Sequence, residues 1–248
     1  MVLLYFGSFN PIHNGHLAVA QYVVREGIAE EVWLVVSPQN PHKTQADLAP
    51  EELRLEMARR AVEGIEGVGV CDVEFGMPRP SYTIDTLDYL RKLYSDKEFA
   101  LLGGGDIAAT INTWKEAERL IGEHKIFIYP RGENEQFGEP FVMLPNAPKM
   151  EHSSTQVRSM ITEGNDDWKM LVPECVAATI ESEGLYCPNT VENHLSAGKE
   201  AFARSAFGEA INHFEEARRL DVECEEAAQW LEMIEDILAF RHKDYYNP

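Results

Sequence analysis

Short apolar runs recur along the first half of the chain, separated by segments with helical spacing. Each run is about four to six residues long, the length of a strand buried in a parallel sheet. The segments between the runs place apolar residues three or four positions apart, which is typical of amphipathic helices. This alternation predicts an α/β fold with a Rossmann-like, doubly wound, mostly parallel sheet. The runs are residues 2–6, 32–37, 68–73, 99–102 and 125–129, and the helical segments include 17–26, 50–62 and 84–93.

The pattern changes near residue 190, where the last strand-and-helix stretch gives way to purely helical spacing. We therefore predict two domains, an α/β domain over 1–189 and a small all-α appendage over 190–248. Small and aromatic residues in the appendage follow the offsets of a tetratricopeptide unit. They predict one such repeat, followed by a capping helix over 225–240. The residues on which this rests are Gly198, Ala201, Phe207, Ala210, Phe214 and Ala217.

The charge balance argues against a nucleic-acid or membrane partner. The chain has 42 acidic and 22 basic side chains and a formal net charge of -20, which repels DNA, RNA and anionic lipid. No stretch approaches the roughly 18 apolar residues of a membrane span, and the four cysteines form no CxxC pair. We predict a cytoplasmic protein with free thiols and no metal held by its own side chains. An anionic nucleotide would need helix N-termini and a few placed cations to bind here.

The turn over residues 7–16 follows the first strand and leads into a helix, so it is the strongest candidate for an anion site. Unpaired N–H groups at a helix N-terminus favour an anion by roughly 0.3 to 2 kcal/mol, and Gly7 lets a phosphate approach the backbone. His13 and His16 lie three residues apart and can face the same anion. Donors placed on phosphoryl oxygens are sufficient for phosphoryl transfer. The alternative is an ordinary turn at Pro11 with surface or helix-capping histidines.

The tetrapeptide His13-Asn14-Gly15-His16 resembles the HxGH signature of the nucleotidyltransferase superfamily, whose members transfer AMP or CMP from a nucleoside triphosphate. The resemblance implies a catalytic role for both histidines. It also places ATP over the turn, in contact with Gly7, Ser8 and Phe9. The superfamily includes phosphopantetheine, cytidylyl and aminoacyl-tRNA synthetase branches, so this motif gives the reaction class and not the substrate.

Further segments resemble the bacterial nicotinate-nucleotide adenylyltransferase family, and with the turn they span residues 1 to about 188. In the Pro-His-Lys loop after the second strand, the resemblance implies that Lys43 supplies a cation to the mononucleotide phosphate; a solvated loop lysine is the alternative. The segment 80–87 opens a helix, and there the resemblance assigns Tyr82 and Thr83 to the pyridine substituent. Helix capping by Ser81 or Thr83 would explain the same residues.

Two more segments complete this resemblance. The Gly-rich segment 102–106 ends a strand, where Gly104 admits a close ligand and Asp106 can accept from ribose hydroxyls. Trp114 is implied to stack on the nicotinate ring, against the alternative of a core tryptophan.

The segment 152–158 resembles the family's Ser-Ser-Thr-x-x-Arg motif. It implies that Ser154, Thr155 and Arg158 bind the ATP phosphates, with Arg158 also catalytic. A simple N-capped helix is the alternative.

The chain departs from the family pattern at two positions. The family commonly has Gly-Gly before the turn and Asp within it, whereas this chain has Phe6-Gly7 and Asn10. Asn10 keeps a hydrogen-bonding oxygen but lacks the charge, which puts any metal or capping role of that carboxylate in doubt.

The resemblance implies transfer of AMP from ATP to nicotinate mononucleotide, with Mg²⁺ held mainly by the ATP phosphates. Nicotinamide mononucleotide as acceptor and phosphopantetheine adenylyltransferase are the enzymatic alternatives. A helical-repeat interaction protein with a degenerate enzyme domain is the non-enzymatic one. Two binding partners are possible for the helices of 190–248: a second copy of the chain, giving a homo-oligomer, or another protein.

Overall fold

The computed structural model describes residues 1–38, 48–130, 137–149, 152–187 and 190–244. The chain divides into two compact units, Met1–Leu185 and Tyr186–Pro248. The first combines strands and helices, and the described part of the second is helical. Every helix in these ranges is too short or too polar to span a bilayer. The four cysteines are free thiols.

One six-stranded sheet forms the centre of the first unit, and every neighbouring pair in it is parallel. Its strands are β1 (Val2–Gly7), β2 (Glu31–Val36), β3 (Val68–Cys71), β4 (Phe99–Gly104), β5 (Ile126–Tyr129) and β6 (Phe141–Met143). The spatial order is β3-β2-β1-β4-β5-β6, so the predicted doubly wound sheet is confirmed. The five apolar runs correspond to β1 through β5. The sixth strand has only three residues, too few to form a recognisable run.

Helices connect and cover these strands. They are α1 (Asn14–Arg25), α2 (Glu51–Val62), α3 (Thr83–Leu93), α4 (Gly105–Thr110), α5 (Ala117–Glu123), α6 (Ser154–Thr162) and α7 (Glu174–Ser182). Short 3-10 helices occupy Val73–Gly76, Ile111–Thr113 and Asp166–Leu171. The three predicted helical segments match α1, α2 and α3 within three residues at each end.

The sheet is buried on both faces, which is why its strands read as continuous apolar runs. Ile84 and Leu87 of α3 pack in one cluster with Leu4 of β1 and Leu101 of β4. Leu3, which points to the opposite face of β1, is also fully buried. Helices therefore cover both faces, and the edge where the strands end stays available for loops.

The second unit contains α8 (Val191–Ala203), α9 (Phe207–Leu220) and α10 (Glu225–Asp244), which confirms the helical appendage. Its core is one cluster of small and large apolar residues, and within it Phe214 stacks on Trp230 with ring centres 5.5 Å apart. Gly198 permits the close approach of α8 and α9, because a Cβ there would lie 2.6 Å from the Phe214 ring. The buried members of the cluster are Ala201, Ala210, Phe214, Ala217, Ala227 and Ile234.

We expect Gly198→Ala to destabilise the second unit by about 1 to 3 kcal/mol, because the methyl group overpacks the α8–α9 contact. Gly208→Ala is the matched control, since a Cβ there meets no atom within 4 Å and alanine favours the helix by roughly 0.5 to 1 kcal/mol. Hydrogen exchange of residues 191–239 measures both. Unchanged protection in Gly198→Ala would contradict the packing described here.

Candidate active site

The candidate residues gather at the edge of the sheet where the parallel strands end. The strand order reverses between β1 and β4, which are neighbours in the sheet. In open α/β sheets, ligands bind at this point because the connections leave in opposite directions and open a crevice. The 7–16 turn follows β1, and the segment with Gly104 and Asp106 follows β4. The fold thus brings two segments almost a hundred residues apart to one crevice.

The 7–16 turn is anchored in the protein interior by its apolar side chains. Phe9, at φ 44°, and Ile12 are almost completely buried. The Phe9 ring lies against Gly7, where an added Cβ would be 3.0 Å from Cζ. Gly7 therefore makes room for the Phe9 ring, a role that the sequence pattern did not indicate.

His13 and His16 lie side by side at the start of α1, with ring centres 3.7 Å apart. Both are buried, with exposed fractions of 1% and 9%. The His13 main-chain N–H donates to Nδ1 of His16 over 3.2 Å. An Nδ1 that accepts leaves the proton of a neutral imidazole on Nε2. The rings of Tyr5 and Phe9 pack edge-on against His16 and fix its orientation.

The N-terminal turn of α6 is hydrogen-bonded to the 7–16 turn. Ser154 Oγ donates to the carbonyl of Pro11 over 2.9 Å, and Arg158 Nη1 donates to the carbonyl of Asn10 over 2.8 Å. Ser153 caps the helix by accepting from the Gln156 N–H. The N-cap of the alternative interpretation is therefore present, at Ser153. Arg158 is partly buried, and these contacts hold it beside the turn that carries both histidines.

The start of α3 is held by a buried carboxylate. Glu74, with 2% exposure, accepts from the hydroxyls of Ser81 and Thr86, each over 2.9 Å. The helix begins at Thr83, and the N-cap residue Tyr82 makes no side-chain capping bond within the described residues. Capping by Ser81 or Thr83 is therefore wrong, because one hydroxyl serves Glu74 and the other residue lies inside the helix. Among the described residues, no side chain caps the first N–H groups of α3.

Lys115 joins the start of α3 to the segment that carries Trp114. Its Nζ bonds both carboxylate oxygens of Asp85, at 2.9 and 2.8 Å, and lies 4.9 Å from the centre of the Tyr82 ring. The hydrogen bond to Asp85 raises the pKa of Lys115. Trp114 is partly buried and packs against the apolar cluster around Ile111, so the core contacts of the alternative interpretation are present.

Known proteins match this chain over its α/β part. Residues 4–160 match the Cytidylyltransferase-like family model. A "Probable nicotinate-nucleotide adenylyltransferase" of Bacteroides fragilis is 44% identical over 166 residues, which cover 66% of this chain and 83% of that protein. A Bacteroides thetaiotaomicron protein of the same name is 40% identical over 174 residues, 69% of this chain and 86% of its own. This chain belongs to the nicotinate-nucleotide adenylyltransferase family.

A solved structure agrees with the family in fold. The chain is similar to Plasmodium falciparum nicotinic acid mononucleotide adenylyltransferase complexed with NaAD, with a TM-score of 0.64 and 22% identity. The match covers 75% of this chain and 96% of that chain. At this identity the likeness supports the Rossmann-like fold of the family.

The remaining predicted site residues fall in several places. Gly104 ends β4 and precedes α4, and Asp106 is exposed in the first turn of that helix. Thr155 is exposed at the start of α6, with Oγ1 3.5 Å from Nη2 of Arg158. Lys43 lies outside the described residues. Asn10 is buried, and its Oδ1 accepts from the Ala49 N–H over 2.9 Å, a contact that needs an oxygen but no charge.

Sequence reasoning missed Glu74, Lys115 and Arg54, which are all placed by tertiary contacts. Arg54 had a readable signal: it lies on the same face of α2 as the buried Ala58 and Ala61, at spacings of four and seven residues. A charged residue on the apolar face of a helix indicates a buried polar contact.

We expect Glu74→Ala to lower the free energy of unfolding by about 1 to 3 kcal/mol, because the buried Thr86 hydroxyl loses its carboxylate acceptor. Amides 81–86 should also exchange faster with solvent. Glu74→Gln keeps one acceptor oxygen and should cost less, and the exposed Glu66→Ala should stay within about 0.5 kcal/mol of the parent. Chemical denaturation and hydrogen exchange measure these effects. An unperturbed Glu74→Ala would refute the role of this carboxylate.

Proposed function

We propose that this chain transfers AMP from ATP to nicotinate mononucleotide, forming deamido-NAD and pyrophosphate in NAD biosynthesis. The observation that carries the proposal is the His13–His16 pair in the 7–16 turn at the switch point of the sheet, with Arg158 of α6 hydrogen-bonded to that turn. Membership of the nicotinate-nucleotide adenylyltransferase family supplies the acceptor.

In the proposed reaction, an oxygen of the mononucleotide phosphate attacks the α-phosphorus of ATP in line. The bond from the α-phosphorus to the bridging oxygen breaks, and pyrophosphate leaves with that oxygen. This chemistry needs positioning and charge stabilisation and no protein nucleophile. The Nε2–H of His16 is a suitable donor to a phosphoryl oxygen, and Arg158 retains further guanidinium donors after its bond to Asn10.

The proposed ATP site lies over the 7–16 turn and the start of α6. His13 joins His16 as a second donor, and Asp106 accepts from the ribose hydroxyls. Mg²⁺ arrives with ATP, coordinated mainly by phosphate oxygens, as is usual for this hard cation. The other proposed ATP contacts are Gly7, Ser8, Phe9, Gly104, Ser154 and Thr155.

The proposed acceptor site lies at the start of α3. N–H groups at a helix N-terminus favour a carboxylate, so the segment of Tyr82 and Thr83 suits a nicotinate ring better than its amide. The uncovered part of Trp114 offers a face for the pyridine ring. Lys43 supplies a cation to the mononucleotide phosphate in this proposal.

We also propose that residues 190–248 form a tetratricopeptide-like repeat, with α8 and α9 as its helix pair and α10 as the capping helix. The close approach at Gly198 and the stacking of Phe214 on Trp230 support this assignment. Such a unit binds either a second copy of the chain or another protein. A monomer in sedimentation equilibrium would exclude the second copy.

We expect kcat/KM for nicotinate mononucleotide to exceed that for nicotinamide mononucleotide by at least about tenfold, since charge-assisted contacts at the start of α3 favour the carboxylate. Pyrophosphate release with ATP and each mononucleotide in turn measures the ratio. Equal or reversed values would overturn the acceptor assignment, and activity with phosphopantetheine instead would assign the other branch.

We expect His16→Asn to lower kcat by about 10² to 10³-fold, as is found when one donor to a developing charge is removed. The asparagine amide oxygen can still accept from the His13 N–H, so the start of α1 should survive. His16→Ala should lose this local contact as well. Cooperative thermal unfolding of both variants is the control, and near-normal turnover by His16→Asn would contradict the proposed role of Nε2.

A further inference from the structure

Among the described residues, Arg54 near the start of α2 is the largest fully buried side chain, with 1% exposure. Four of its hydrogen bonds go to main-chain carbonyls. Nη1 donates to Ser8 over 2.6 Å and to Ser37 over 2.8 Å, Nη2 donates to Pro38 over 2.6 Å, and Nε donates to Ala49 over 3.0 Å. One guanidinium thus connects chain segments that the sequence separates.

These carbonyls belong to the 7–16 turn and to the residues on either side of 39–47. Ser8 belongs to the 7–16 turn, and Ser37 and Pro38 follow β2 directly. Ala49 lies just before α2. Arg54 therefore binds Ser37 and Pro38, just before residues 39–47, and Ala49, just after them. Its bond to Ser8 connects these positions to the turn proposed for ATP.

A second contact strengthens the same connection. Oδ1 of Asn10 accepts from the Ala49 N–H, so the far end of the stretch is also tied to the 7–16 turn by a side chain of that turn. The carbonyl of Asn10 in turn accepts from Arg158. A continuous set of hydrogen bonds runs from α6 through the turn to Ala49 and Arg54.

Taking a guanidinium out of water is costly unless its donors are satisfied, and an apolar side chain of similar volume would fill a core position at lower cost. A buried arginine that donates to carbonyls on three separate segments does what an apolar residue cannot, because its planar fork fixes their separation and direction. The contact geometry points to a role in placing the loops.

We propose that Arg54 is a positioning residue that holds Pro38 and Ala49, the described residues at the two ends of the acceptor loop, against the ATP turn, with Asn10 as its partner at the Ala49 end. The inference rests on the proposed function, in which this loop carries Lys43 to the mononucleotide phosphate. Arg54 touches neither substrate. It acts by fixing both ends of the loop, so that the acceptor phosphate meets the α-phosphorus in line.

The test compares Arg54→Lys and Arg54→Met with Arg60→Lys and Arg60→Met. Arg60 is a matched control because it lies on the same helix and donates to Thr179 Oγ1 of α7, away from both loops. Lysine keeps the charge but cannot span four carbonyls, and methionine removes both charge and donors. Kinetic assays well below the unfolding temperature give kcat and the KM for each substrate, and thermal unfolding is measured separately.

We expect KM for nicotinate mononucleotide to rise at least tenfold in Arg54→Lys and further in Arg54→Met, with KM for ATP changed less than threefold. The Arg60 variants should keep both KM values within about twofold. Calorimetry of mononucleotide binding, with a non-hydrolysable ATP analogue present, should show the same loss of affinity without turnover. Unchanged KM values beside a lower unfolding temperature would overturn the proposal, as would an equal rise for both substrates.

Asn10→Ala tests the same inference if the Arg54 variants fail to fold, because it removes the Oδ1 that accepts from the Ala49 N–H and leaves Arg54 unchanged. It should raise KM for the mononucleotide in the same direction by at least threefold, and an unchanged value would count against the proposal. The activity of the parent protein distinguishes a failure of the proposed function from a failure of the proposed role of Arg54. A parent that transfers AMP to neither mononucleotide refutes the proposed function, whereas an active parent with kinetically normal Arg54 variants refutes only the role of Arg54.

Discussion

Parallel pairing of β1 with both β2 and β4 is the constraint on which the site depends. Because β1 lies where the strand order reverses, the connections after β1 and β4 leave toward opposite halves of the sheet. The 7–16 turn is therefore beside a crevice, while the strands β1, β4 and β5 are mostly buried. The loops beyond the ends of these strands are where ligands bind in open α/β sheets.

Loops at such an edge leave carbonyl groups that the sheet cannot satisfy, and here distant side chains supply the donors. Arg54 from α2, together with Ser154 and Arg158 from α6, donates to the turn or to its neighbour after β2. The same guanidinium groups place positive charge near the crevice of a protein whose net charge is -20. The same guanidinium groups thus stabilise the loops and supply the positive charge that an anionic substrate requires.

The candidate site has two parts, and different contacts hold each of them in place. In the part proposed for ATP, the side chains of Ser154 and Arg158 on α6 donate to main-chain carbonyls of the turn. The ring of His16 is held there by packing against Tyr5 and Phe9. The part proposed for the acceptor is held by side-chain contacts, through Glu74 and the Lys115–Asp85 pair. Arg54 and Asn10 connect the turn to Pro38 and Ala49, the described residues on either side of 39–47.

The sequence by itself determined the α/β fold and the position of the turn, because strand length and helical period are local properties. The family followed from the resemblance of several segments, since the His13–His16 motif alone indicates only the superfamily. The sequence also indicated that Arg158 belongs with the turn, through resemblance alone. Only the tertiary structure decided that Gly7 accommodates the Phe9 ring, that Ser81 serves Glu74 and that Arg54 joins three segments. These roles depend on which groups meet across tens of residues, and hydrogen bonds between distant segments leave no period in the sequence. The same reason explains Asn10, whose oxygen binds the Ala49 N–H across 39 residues.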